Sequence, residues 1–177
     1  MSRRIVFGVA LVLVALMTIA APASATPPTE VSGEYLLNTS PPTNLAWRPA
    51  GNNCILEVDL IYPFTGELVG DAVFHYRIVS HGPCSADMPP APFAHDENLK
   101  AVGTFTGQVK DRSGSFDFNY EGRAWPAEPG ELALTARIVV LSGTGDLAGL
   151  HGVLDVSYIM GESVDRYSGQ IHFDPHP

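Results

Sequence analysis

Apolar and polar side chains alternate with a period of two residues through most of the chain. In Ile55–Tyr62, for example, Val58 and Leu60 share one face while Glu57 and Asp59 share the other. Because successive side chains of a β-strand point to opposite faces of a sheet, this pattern predicts strands with one buried and one solvated face. Eight segments are predicted as strands: Val31–Leu37, Ile55–Tyr62, Ala72–Ser80, Val102–Val109, Ser115–Ala124, Leu132–Leu141, Val153–Met160 and Arg166–Phe173.

Segments rich in proline, threonine, asparagine or glycine separate these strands, and residues 38–53, 83–96 and 126–130 are predicted to be loops. No window of helical length carries an apolar residue at every third or fourth position. Eight strands with one apolar face each can close into a barrel or stack as a sandwich. Short connections favour pairing of neighbours in order, so we predict an all-β chain with a single eight-stranded antiparallel β-barrel over residues 31–174.

The N-terminus has the pattern of a secretory signal peptide. Two arginines, Arg3 and Arg4, precede an apolar run from Ile5 to Ala20, and the small residues Ala23-Ser24-Ala25 follow. A permanent membrane helix needs about 20 mainly apolar residues, and this run is shorter and leads into a cleavage-like site. We predict cleavage after Ala25, a short linker at 26–30, and a secreted or periplasmic mature protein with no stable membrane span.

The net charge narrows the range of partners. The formal charge is −9, and loss of the two arginines with the signal peptide changes it to −11 in a mature chain of 152 residues, 25 fewer than the full 177. Phosphate backbones and anionic membrane surfaces repel so acidic a chain. We therefore do not expect nucleic acid as a partner.

Both cysteines of the chain, Cys54 and Cys84, lie in the exported part. In an oxidising compartment an even pair most often forms a disulfide. The two residues lie symmetrically about position 69, so a hairpin that turns near Gly66–Gly70 would bring them together. A reactive thiol or a metal site is the alternative, but no further ligands lie nearby at suitable spacing.

Aromatic and aliphatic side chains on the predicted inner face are the main candidates for a binding site. Pairing Val109 with Phe116 would place Phe105 opposite Tyr120 as an aromatic cross-strand pair. In a small barrel such residues either fill the lumen or line a ligand cavity, and the sequence leaves both readings open. The candidates for ligand contact are Tyr62, Phe74, Tyr76, Phe118, Tyr120 and Tyr158; the other residues of this face are Leu56, Leu60, Phe116, Leu134 and Val156.

Polar side chains that could carry chemistry are scattered. A carboxylate beside a histidine can do acid–base work, and Glu57, Asp59, His75 and Arg77 lie on adjacent predicted strands, but on the face expected to be outside. His151 lies in a glycine-rich turn, Ser113 lies in another turn, and His172, Asp174 and His176 alternate near a terminus that offers a poor scaffold. We predict no metal site.

One turn motif carries a family resemblance. Residues 139–152, with Gly143-Thr144-Gly145 followed by Asp146-Leu147-Ala148-Gly149, resemble a signature of dirigent proteins and allene oxide cyclases. Together with Phe105-Thr106-Gly107 and the hairpin 111–116, they resemble more closely a bacterial family of uncharacterised domains expected to share that barrel. The likeness extends over residues 64–173. Because the matching motifs are turns, they speak for fold more than for function.

The resemblance implies a calycin-type eight-stranded barrel whose apolar lumen can hold a small hydrophobic molecule without a metal or organic cofactor. Dirigent proteins guide radical coupling and form trimers, and allene oxide cyclases close a ring in a fatty-acid-derived substrate. Their functional residues line the lumen and match no position here, so no catalytic residue is carried over.

Three functions remain open on this basis: a secreted module that binds a small apolar or aromatic molecule, a cofactor-free cyclase or isomerase, and a structural or interaction protein with a filled barrel. A cavity would separate the first two from the third. An ionisable group in that cavity, such as a tyrosine, would separate the second from the first. The oligomeric state stays open.

Overall fold

The structure, a computed structural model, describes residues 27–174 and consists of strands and their connections. Every pair of neighbouring strands is antiparallel, and pairing of the first strand with the third closes an eight-stranded barrel, so the predicted fold class is confirmed. A ninth strand lies outside the closed ring. The strands are β1 (Thr29–Leu36), β2 (Thr43–Ala50), β3 (Asn53–Gly66), β4 (Leu68–Ser80), β5 (Glu97–Val109), β6 (Arg112–Ala124), β7 (Leu132–Gly145), β8 (Leu150–Ile159) and β9 (Val164–Phe173).

The additional strand, β2, corrects the prediction of a loop over residues 38–53. It pairs with the first half of β3, from Ala50 opposite Asn53 to Thr43 opposite Asp59. Every β2 side chain is exposed or half-buried. A strand without a buried face has no apolar alternation, so the signal that revealed the other strands is missing here.

The β5–β6 hairpin has a different register from the predicted one. Val109 pairs with Arg112, and Phe105 pairs with Phe116 instead of Tyr120. The chain reverses at Lys110, whose φ of 56° lies in the left-handed region, two residues earlier than the predicted pairing requires. An aromatic pair still results, because the rings of Phe105 and Phe116 stack with centroids 4.8 Å apart.

The two ends of the barrel differ. At the turn end, short connections join β3 to β4, β5 to β6 and β7 to β8. At the loop end, longer segments connect the strands, above all residues 81–96 between β4 and β5 and residues 125–131 between β6 and β7. The buried polar residues Ser80, Glu97 and Asp165 lie at the loop end.

Strand pairing is staggered around the ring. Successive partners starting from Tyr35 are Asp165, Tyr158, Leu134, Ala124, Glu97, Ser80 and Cys54. The β3 partner of Tyr35, however, is Phe64, which lies ten positions beyond Cys54. Because strands in a staggered barrel tilt relative to its axis, this line of partners climbs along the axis from Tyr35 to Cys54. Measured along the axis from the turn end, the loop-end rim is therefore low at β1 and β9 and high at β3 and β4.

Aromatic side chains fill the turn-end half of the lumen. The Phe64 ring lies 5.8 Å from that of Phe105 and 5.4 Å from that of Tyr167. The Tyr167 hydroxyl donates to the Thr65 carbonyl oxygen and accepts from the Leu68 amide, both at 2.9 Å. A Cβ atom at Gly33 would collide with the Tyr167 ring, so the glycine leaves room for it. This half of the barrel is a packed core.

The predicted disulfide is confirmed. The Cys54 and Cys84 sulfurs are 2.10 Å apart, with Cα atoms 5.6 Å apart. The hairpin that positions them reverses at Glu67, within the predicted turn region, and pairs Cys54 with Ser80. The bond thus ties the β4–β5 loop to the high wall of the barrel.

Candidate functional site

The polar residues singled out on β3 and β4 lie on the outer face, as expected. His75 Nδ1 is 2.7 Å from Asp59 Oδ1, and hydrogen bonds from Asn44 and then His75 lower the pKa of the Asp59 carboxyl. Glu57 and Arg77 are cross-strand partners, and both are exposed. Such solvated pairs contribute little to stability.

The C-terminal polar cluster is only partly formed. His151 Nε2 lies 3.0 Å from Asp174 Oδ2, and the rings of His151 and His172 stack 5.6 Å apart. His176 is outside the described residues. Within residues 27–174, no group of three or more histidine, cysteine or acidic side chains is arranged to hold a metal ion. Ser113 has a structural role, since its carbonyl oxygen accepts the Asp146 amide in a turn.

The six aromatic candidates face the lumen, and all of them except Tyr158 pack against one another. Five are buried, and Tyr62 is half-buried. The Phe74 ring is central, with centroids 4.7 Å from Phe118 and 5.3 Å from Tyr62 and Tyr76. Tyr158 lies apart from this group, where its ring stacks on Phe93 of the β4–β5 loop at 5.5 Å. At the level of Phe74, therefore, the lumen is filled by side chains.

Three buried polar side chains were missed by the sequence reasoning. Asp165 is 5% exposed, Glu97 is 7% exposed and Ser80 is fully buried. All lie on the line of cross-strand partners that runs from Tyr35 to Cys54. Asp165 lies one residue before the predicted strand Arg166–Phe173, and Glu97 lies five residues before the predicted strand Val102–Val109. Extending the alternation backwards, through Asp165-Tyr167 and Glu97-Leu99-Ala101, would have placed both side chains inside the barrel.

Four tyrosines surround the Asp165 carboxyl and form a polar network in the lumen. The hydroxyls of Tyr62, Tyr76 and Tyr120 lie close enough together to shift the pKa values of one another. The Tyr35 hydroxyl lies close enough to Tyr120 and Asp165 to lower the pKa of both. Nevertheless, Tyr35 Oη completes no hydrogen bond of good geometry with any described residue. Burial dominates at the carboxyl and raises the pKa of Asp165 to about 6.

A second carboxyl lies higher on the wall. Burial raises the pKa of Glu97 to about 7, opposed by a hydrogen bond from the Phe93 amide. Its cross-strand partner is Ser80, whose Oγ is buried and has no hydrogen-bond partner among the described residues. No cationic side chain among the described residues lies close enough to lower the pKa of Glu97 or of Asp165. The lumen thus contains two carboxyls without a positive counterpart.

Partly buried apolar residues form what we call the mouth of the barrel, at the loop end. Residues 81–96 extend over it, and Phe93, half-buried against Tyr158, occupies part of it. The base of this loop is held by the His81 amide, which donates to the Asp96 carbonyl oxygen at 2.8 Å. The mouth comprises Leu37, Leu60, Tyr62, Ile78, Phe93 and Met160.

The chain is therefore a small antiparallel β-barrel protein in which the turn-end half of the lumen is packed, two carboxyls are buried and the mouth is apolar. Residues 32–168 match the profile of a family described as protein of unknown function (DUF3224), and the chain belongs to this family.

A solved structure supports the fold. The crystal structure of a DUF3224 protein of unknown function from Shewanella oneidensis MR-1, at 1.84 Å resolution, aligns with a TM-score of 0.57 and 20% identity. The alignment covers 84% of this chain and 100% of that chain. No match is found among curated proteins. Residues 27–174 contain no helix with the length and hydrophobicity needed to cross a membrane.

Proposed function

We propose that this chain is an exported binding protein that takes up a small apolar or aromatic molecule at the mouth of its barrel. The observation that carries the proposal is the tyrosine network around Asp165, which ends on the buried, unpartnered Tyr35 hydroxyl. The aromatic rings supply the apolar contact, and the network supplies hydrogen-bonding groups for one polar atom of the ligand.

Unmet hydrogen-bonding capacity in the interior calls for a physical explanation. Most buried polar groups in proteins are paired, and an unpaired one costs about 1–3 kcal/mol. In this lumen Tyr35 Oη and Ser80 Oγ both lack partners, and both are fully buried. Buried carboxyls with raised pKa values also concentrate at functional sites. A ligand that reaches these groups would satisfy them.

Space for the ligand comes from the loop. Phe93 has a φ of 56°, in the left-handed region that residues other than glycine seldom adopt, and such a conformation costs about 1–3 kcal/mol. A rearrangement of the loop backbone at Phe93 would release this strain, withdraw the ring and uncover Tyr158. The ligand then takes the place of Phe93 and contacts Tyr62 and Tyr158. The packed turn-end half of the lumen stays intact.

Binding can be tested with N-phenyl-1-naphthylamine, a neutral probe whose fluorescence rises in apolar surroundings. We expect saturable binding to the mature chain at one site, and tighter binding to Phe93→Ala because the competing ring is gone. Tyr35→Phe and Asp165→Asn should weaken binding by about tenfold or less, the value of one hydrogen bond. Asp71→Asn, on the outer face of β4, is the matched control. Absence of saturable binding in both the wild type and Phe93→Ala would favour a structural module and contradict the proposal.

Export is part of the same proposal. The disulfide supports an extracytoplasmic location, since such bonds persist mainly in oxidising compartments. The predicted signal peptide, residues 1–25, lies outside the described residues. Intact-mass measurement of the full-length chain expressed in bacteria should give an extracytoplasmic product that begins at Thr26 and is two hydrogens lighter than its reduced form. A cytoplasmic product that retains Met1 would argue against export.

A second candidate is a cofactor-free cyclase or isomerase, in line with the resemblance to allene oxide cyclases. One observation favours it: a carboxyl with a pKa of about 6 beside several tyrosines can exchange protons near neutral pH. If the chain is such an enzyme, Asp165→Asn should abolish turnover of a bound substrate while the substrate still binds. Unchanged turnover in this variant would rule out the role of Asp165.

A further inference from the structure

The charge inside the barrel has one sign. Of the ionisable side chains in residues 27–174 that could carry charge at neutral pH, the two buried ones are Glu97 and Asp165. The salt bridges of the described residues involve other, more exposed acids. An ionised carboxylate in apolar surroundings is costly unless it is paired. Among residues 27–174 these two acids have no basic partner, so a bound cation is the natural means of pairing.

Glu97 is the better placed of the two carboxyls to meet a ligand. Its strand position is level with Ser80 at the high rim of the barrel, and the backbone of Phe93 in the covering loop donates to it. Asp165 lies lower, among the tyrosines. A molecule that displaces the Phe93 side chain from the mouth therefore meets Glu97 before it reaches Asp165.

The neighbouring Ser80 hydroxyl gives an independent sign that something is bound at this point. Ser80 is fully buried, its Oγ has no partner, and its cross-strand position beside Glu97 turns both side chains to the lumen. A hydroxyl oxygen has two acceptor lone pairs, and an ionised carboxylate has about four acceptor positions. The Phe93 amide uses one of the carboxylate positions. No side chain among residues 27–174 is shown to donate a hydrogen bond to the remaining acceptors.

We propose that the ligand is an amphipathic amine, and that Glu97 and Ser80 together receive its ammonium group. This inference rests on the proposed function and specifies its ligand class: an apolar or aromatic body with one protonated amine. An ammonium group has three donors and no acceptor, which matches a carboxylate beside a hydroxyl oxygen. The Tyr158 ring, uncovered when Phe93 is displaced, adds a favourable cation–π contact.

The same arrangement disfavours anionic ligands. Glu97 and Asp165 would both repel a carboxylate, and the formal charge of −9 attracts cations and repels anions over a longer range. A neutral alcohol of the same shape keeps the apolar contact and loses the charge pair. The expected order of affinity is therefore amine, then alcohol, then acid.

Three probes with one apolar body test this order: 1-naphthylmethylamine, 1-naphthylmethanol and 1-naphthoic acid. Each is used to displace N-phenyl-1-naphthylamine from the mature, disulfide-bonded chain at pH 8, where the Glu97 carboxyl is ionised. We expect the amine to bind at least about tenfold more tightly than the alcohol, as suits a hydrogen bond to a charged group. Glu97→Gln should remove this preference and leave the affinity for the alcohol unchanged. Ser80→Ala should reduce the preference in part.

The matched control is Glu121→Gln, an exposed glutamate on β6 that pairs with Lys100 on the outer face. It should retain the full preference for the amine. Equal affinities for amine and alcohol in the wild type, or a preference that survives Glu97→Gln, would overturn this inference while neutral-probe binding keeps the proposed function. If the neutral probe itself fails to bind, the result contradicts both the proposed function and the inference of an amine ligand.

Discussion

Substituting asparagine for Asp165 removes an ionisable carboxyl from the lumen and keeps the size of the side chain. The carboxyl is 5% exposed, and burial raises its pKa from 3.8 to about 6. Between these two values the folded chain holds a proton that the unfolded chain has released. Because the folded state binds more protons in this window, the contribution of the Asp165 carboxyl to stability is greatest below pH 3.8 and falls as the pH rises to 6.

The magnitude follows from the difference in pKa. A shift of about two units corresponds to about 3 kcal/mol between the fully protonated and fully ionised limits. Between pH 4 and pH 8, ionisation of Asp165 therefore lowers the free energy of unfolding by about 2–3 kcal/mol. The asparagine variant has no carboxyl to ionise and does not lose this stability. Any fixed cost of placing an amide beside Tyr35 is the same at both pH values and cancels from the comparison.

Urea unfolding of the wild type and Asp165→Asn at pH 4 and pH 8 measures the effect as a double difference. We expect the wild type to lose about 2–3 kcal/mol more than the variant between the two pH values. The contribution of Glu97, whose pKa is also raised by burial, is present in both proteins and drops out. The outer-face variant Asp71→Asn should behave like the wild type. Equal pH dependence in wild type and Asp165→Asn would refute the assignment of a buried, raised-pKa carboxyl.

Two further predictions concern the scaffold. Replacing Cys54 and Cys84 by serine removes a link between residues 30 positions apart. On the chain-entropy model this should lower the free energy of unfolding by about 4 kcal/mol, as measured by urea unfolding without reductant. An unchanged unfolding midpoint would mean that the disulfide adds no constraint. Tyr167→Phe leaves the Leu68 amide without its acceptor and should cost about 1–3 kcal/mol. Thermal melts of this variant should show a clearly lowered Tm, and an unaltered Tm would show that another group satisfies the amide.

Most of the scaffold could be predicted from local pattern. A period-two alternation identifies strands because burial on one face is recorded in each strand's own residues. Cys54 and Cys84 were paired correctly because a hairpin between them is a short-range feature. β2 was missed because its side chains have no buried face. The β5–β6 register was displaced because Lys110 adopts a left-handed backbone conformation without being a glycine.

The candidate site was much less predictable. The sequence indicated inward-facing aromatics but gave no means to decide whether they fill a lumen or line one. Asp165 meets Tyr35 only because β1 and β9 are hydrogen-bonded neighbours at the seam of the ring. Glu97 meets Ser80 across the ends of two strands joined by a long loop. Asp165 lies one residue before a predicted strand, and Glu97 lies five residues before another.

The sequence by itself determined that the chain forms strands, that one face of most strands is apolar, and that its two cysteines can be joined. Tertiary structure alone decided which side chains meet inside the barrel. The physical reason is that strand formation depends on neighbours two residues apart, whereas contacts in the lumen depend on register and stagger summed around a closed ring. Tyr35 and Asp165, near opposite ends of the described residues, become partners only when that ring closes.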